Sequence, residues 1–162
     1  MNSRRTSSAL IPLCAATLAA VAPITAGPAH ADSADDGALL NEINATRAAN
    51  GCGPVAANPQ LNAAAARQAN DMLANNVRSH TGSDGSSVGQ RIDAAGYTTY
   101  SNVGEIIFWS TGVSAVPAAA VDWWMNSPGH RAIITDCGMT EAGVAVVRNG
   151  ARAAAVGEFG SK

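Results

Sequence analysis

Two histidines and one glutamate stand out by type and place: His80, Glu105 and His130, each 25 residues from the next. His80 follows Ser79, and His130 lies in Ser127-Pro128-Gly129-His130-Arg131. Both read as turn contexts, where a histidine lines a surface or cleft more often than a core. Glu105 interrupts an otherwise apolar strand, Gly104-Glu105-Ile106-Ile107-Phe108. An acid there is costly to bury unpaired, so it needs a histidine, an arginine or a metal. Two imidazoles and a carboxylate suit a Zn²⁺ shell. They equally suit a proton-sharing cluster without metal. No local HExxH rule decides between them. There is no GxSxG elbow, so a serine hydrolase would rest on an unmarked serine such as Ser79 or Ser127. No catalytic residue is assigned on these grounds.

The elements that must position these groups follow from pattern. Asp35 or Asp36 caps a first helix that runs to about Asn50, with Gly51 as its stop. Its apolar face is Leu39, Leu40, Ile43 and Ala48. Asn58-Pro59 opens a second helix carrying Leu61, Ala65, Ala69, Met72, Leu73 and Asn76. A short third helix places Val88, Ile92 and Ala95 inward and stops at Gly96. Residues 103–109 read as a strand, and 114–125 as a helix whose Pro117 is tolerable in its first turn. Trp123 and Trp124 point in different directions on that helix, so one packs inward and the other is free to line a groove. Strands over 142–147 and 151–159 are joined by Arg148-Asn149-Gly150, a hairpin signal. Helices alternating with strands, and a final antiparallel pair, predict a layered α/β or α+β sandwich in one domain.

Composition sets the class. The 162 residues carry a formal charge of −2, and only 14% are charged. A broad basic surface for nucleic acid is excluded. The 47% hydrophobic content leans on 35 alanines, with aromatics at 4%. Residues 1–31 read as a signal peptide: Arg4 and Arg5, an uncharged apolar stretch, then Ala29-His30-Ala31 before Asp32, the expected cleavage point. The general secretory route is preferred, with the twin-arginine route open. The exported chain then has 131 residues, charge −4, two histidines and two cysteines. Outside the cytoplasm, Cys52 and Cys137 are expected to form one disulfide. After residue 31 no apolar run reaches the roughly 18 residues of a membrane span.

Several segments, in order, resemble one known superfamily. They are Ser79-His80-Thr81, Gly104-Glu105-Ile106, Trp124 through Arg131, and Glu141-Ala142-Gly143-Val144. Leu39-Leu40-Asn41-Glu42-Ile43-Asn44 with Arg47, and Asn58-Pro59-Gln60-Leu61, agree. Together they resemble the bacterial branch of the CAP superfamily (cysteine-rich secretory proteins, antigen 5, pathogenesis-related 1), also called the SCP-like branch. The resemblance implies a three-layer α-β-α sandwich over residues 38–160, after a short segment 32–37. It implies a cleft with two histidines and acidic residues, holding a divalent metal such as zinc in some members. His80, Glu105 and His130 match those positions. Three departures stand: Ile106 replaces an asparagine, no second cleft acid follows the tryptophan helix, and the extra disulfides of eukaryotic members are absent, which leaves Cys52–Cys137 as this branch's own staple. The expected function is a secreted, non-enzymatic protein binding a small apolar or lipid ligand or a cell-envelope partner. The alternatives are a metal-dependent hydrolase using the His80/Glu105/His130 cluster and a divalent-metal binder.

Overall fold

The computed structural model describes residues 1, 33–113 and 116–162. The expected leader and cleavage point, and the first two residues of the helix expected over 114–125, lie outside them. Among the described residues, five helices flank one four-stranded sheet. The helices are α1 (Ser33–Ala49), α2 (Pro59–Ala74), α3 (Val88–Ala94), α4 (Val116–Met125) and α5 (Pro128–Ile134). The strands are β1 (Ala56–Ala57), β2 (Asn102–Thr111), β3 (Glu141–Asn149) and β4 (Arg152–Ser161). Their order is β1-β3-β4-β2, antiparallel except for β1 against β3.

The pleat divides the core in two. Ile106, Phe108, Val144, Val146, Ala155 and Phe159 face Leu39, Ile43, Val121 and Trp124 of α1 and α4. Ile107, Ala145, Val147, Ala154 and Val156 face Ala65, Ala69, Met72 and Leu73 of α2. This is the expected α-β-α sandwich, and its alanine-rich second helix packs flat on the sheet. Gly143 makes the closest approach: a Cβ there would collide with the Leu61–Asn62 backbone.

Both sheet edges are capped by side chains. Beyond the two residues of β1, Val144 N–H donates to Asn62 Oδ1 (2.8 Å) and Val146 N–H to Asp36 Oδ1 (2.6 Å). On the opposite edge, Trp124 Nε1 donates to Ile107 O (2.9 Å). Such caps remove template groups that would otherwise invite another strand.

Several expectations shift. Segment 32–37 is largely the first turns of α1, which begins at Ser33. Asp35 and Asp36 therefore do not cap the helix; they reach across to Arg148 and Val146 N–H. Ala48 is exposed and Arg47 is buried in its place. Its guanidinium donates to the carbonyls of Gly53, Ile134, Asp136 and Met139 at 2.8–2.9 Å. Burial, opposed by Asp136, lowers its pKa. Asn58 caps α2 as expected, accepting from the N–H groups of Gln60 and Leu61. The helix ends before Asn76, which is exposed with φ +53°. His130 lies in α5, a helix too short and too Pro/Gly-rich at its start to show in the pattern. The Cys52–Cys137 disulfide is present, joining the turn after α1 to the loop after α5.

Candidate functional site

His80 reaches the site from the loop after α2, and three contacts fix it. Gln68 Nε2 donates to Ser79 O (2.8 Å), and Arg91 Nη2 donates to His80 O (2.9 Å). The ring Nδ1 shares a 2.6 Å hydrogen bond with Glu105 Oε1. Glu105 Oε2 accepts from Arg91 Nη2, also at 2.6 Å, and both of those side chains are 1% exposed. The acid in the apolar strand thus has two of the partners it was expected to need, a histidine and an arginine.

Directly opposite Glu105 on β4 stands Glu158, fully buried. No donor reaches either of its oxygens. Burial first, and the neighbouring Glu105 carboxyl second, push its pKa well above the usual carboxylate range, against a smaller opposing pull from Arg91. Only a carboxyl that keeps its proton is tolerated in such a place, and its O–H then has Glu105 to donate to. The sequence reading missed Glu158 and Arg91. Glu158 carried the same signal as Glu105, one acid in the apolar run Ala153–Phe159.

His130 stands across the cleft on α5, its ring centroid 6.1 Å from that of His80. Its Nδ1 shares a 2.8 Å hydrogen bond with Ser127 Oγ. Burial, and then His80, lower its pKa. Ser127 is therefore beside a histidine, but it is not among the residues lining the groove.

The three expected residues converge, yet they do not form a metal shell. Both Glu105 oxygens are engaged by neighbours, and each histidine commits Nδ1 to a hydrogen bond. What faces a shared point is at most two imidazole nitrogens. Among the described residues, no group of three or more His, Cys, Asp or Glu side chains is arranged to hold an ion. The residues do not fit the three-ligand centre that metal-assisted hydrolysis requires.

A groove of about 350 Å³ opens beside the histidines, with His80 and Arg78 on one side and His130 and Trp123 on the other. Trp123 is 42% exposed and Trp109 36%, while Trp124 is fully buried. The paired tryptophans thus divide as their helical positions predict. Trp123 packs against His130 (5.0 Å between centroids) and lies 6.1 Å from both Trp109 and Phe108. These three apolar rings border a further hollow of about 200 Å³.

The profile of the cysteine-rich secretory protein family, CAP, matches residues 40–159. The chain belongs to the CAP family. Three of the solved structures similar to this CAP domain come from bacteria. An outer surface protein of Borrelia burgdorferi aligns at TM-score 0.72 with 21% identity, over 83% of this chain and 98% of its own. An extracellular SCP-domain protein of Bacillus anthracis gives 0.69 and 23%, over 80% and 41%. A cysteine-rich secretory protein of Staphylococcus aureus gives 0.63 and 20%, over 80% and 38%. The CAP domain thus spans about two fifths of the last two. No curated protein matches the chain. At these identities the likeness carries the fold, and the site must be read from its own residues.

Proposed function

We propose that this CAP domain is a non-enzymatic, extracellular or envelope-located binding protein that takes a small amphiphilic ligand in the tryptophan groove. One observation carries the reading: two half-exposed indoles, Trp109 and Trp123, stand next to the histidine pair in one open groove. Large apolar rings kept in solvent beside fixed polar groups are the composition of a ligand site. Phe108, Trp109 and Trp123 supply the apolar wall, and His80 and His130 supply polar contacts. The location is supported by two of the similar proteins, one an outer surface protein and one an extracellular protein. It agrees with the expected leader. Among the described residues no helix is long and apolar enough to cross a membrane.

The test is capture. The protein is mixed with a bacterial envelope lipid extract, recovered, and its bound material identified by mass spectrometry. Wild type should retain a defined amphiphile at near-stoichiometric amount, and W109A and W123A should lose it. Equal retention by both variants, or nothing retained by wild type, contradicts the reading.

A further inference from the structure

The arginines of this acidic protein are mostly spoken for. Arg47 is buried among carbonyls, Arg67 pairs with Asp84, Arg91 with Glu105 and Arg148 with Asp35. Arg131 donates to Met125 O. Arg78 and Arg152 are different: both are exposed, and among the described residues neither meets a carboxylate. Both line one small hollow, of about 20 Å³, whose wall is Trp109.

Three features place that hollow deliberately. Arg152 lies two residues from Ala154, the β4 partner of Trp109, so it is a diagonal neighbour on the same face of the sheet. Arg78 reaches Trp109 from the other side, its guanidinium carbon 5.6 Å from the ring centroid. Asn76, two residues before Arg78, turns the chain with a left-handed backbone that asparagine adopts readily. No Asp or Glu lines either this hollow or the adjoining histidine groove.

Two exposed guanidiniums beside an aromatic wall are donors an oxyanion takes. We propose that Arg78 and Arg152 form an anion-reading subsite at the Trp109 end of the groove, so that the ligand is an anionic amphiphile. Its carboxylate, phosphate or sulfate sits between the arginines, and its apolar body lies along Trp109 and Trp123. This rests on the groove reading above and adds the charge of the head group to it.

The experiment compares twelve-carbon amphiphiles, below micelle concentration, by calorimetry on the protein. Dodecyl phosphate and dodecanoate should bind about tenfold or more tighter than a neutral dodecyl glucoside. Dodecyltrimethylammonium should bind no better than the glucoside. Affinity for the two acids should fall as salt rises. In R78Q/R152Q, with its fold checked by circular dichroism, the preference for the acids over the glucoside should be lost. Acids and glucoside binding equally to wild type, or a double variant that still prefers acids, overturns the arginine subsite while the groove stands. Inorganic phosphate binding as tightly as dodecyl phosphate overturns the groove as the seat of the body while the arginines stand. No binding by any amphiphile overturns both.

Discussion

Glu105 and Glu158 face each other across β2 and β4, and the one guanidinium beside them, Arg91, pairs with Glu105. The arrangement holds together while Glu158 keeps its proton. Its folded pKa is raised, so the sign of the linkage follows. Below the ordinary value of 4.5 both the folded and unfolded chains carry the proton. As pH rises above it, the unfolded chain releases the proton and the fold does not, so stability falls until the folded pKa is passed. Glu158→Gln keeps the neutral shape and removes that loss; its urea midpoint should decline less between pH 5 and pH 8 than that of wild type. Arg91→Ala should cost about 3–5 kcal/mol, because it strips a buried carboxyl of its cation, and the same urea titration reads it. At this scale the sequence was informative where an odd residue broke a pattern. Glu105 stood out in its apolar strand, and His80 and His130 stood out by type and setting. Arg91 did not, because a seven-residue helix gives too little periodicity to show which way its arginine points. Neither did the saturation of Glu105, which depends on three elements meeting.

Elements show a parallel division. Capped and punctuated ones were legible: Asn58-Pro59 starts α2, Gly51 at φ +80° ends α1, and Gly150 at φ +60° turns the β3–β4 hairpin. The two-residue β1 and the short α5 were not, since tertiary contacts rather than local pattern hold them. Nor did Asp35 and Asp36 reveal that they serve β3. Two substitutions test the layer contacts by denaturant unfolding. Gly143→Ala forces a methyl into the first turn of α2 and should cost about 1–3 kcal/mol through overpacking. Trp124→Phe leaves the Ile107 carbonyl without its buried donor and should cost about 1–3 kcal/mol. A Trp124→Phe protein with wild-type stability would mean that the sheet edge is satisfied by other means.

The whole molecule is a CAP sandwich closed by one covalent staple. Cys52 and Cys137 are 85 residues apart, so their bond removes a long loop from the unfolded ensemble. By the chain-entropy relation, C52S/C137S should cost up to about 4–5 kcal/mol. Thermal unfolding should show the same drop when wild type is reduced. Buried Arg47 ties the same region through four carbonyls, so the double variant should stay folded at room temperature. Charge is distributed to match: the protein is acidic, yet the groove side carries Arg78, Arg152 and two histidines and no lining acid. That placement was invisible in composition, where the same arginines merely reduced a net charge.

The central claim is that ligand enters at the exposed tryptophans. The protein contains three indole N–H groups, Trp109, Trp123 and Trp124, and each gives one signal in a nitrogen-15 correlation spectrum. Titration with dodecyl phosphate should move the Trp109 and Trp123 signals together and leave Trp124 in place, since its N–H is bonded to Ile107 O. Three stationary signals, or a shift confined to Trp124, would contradict the account.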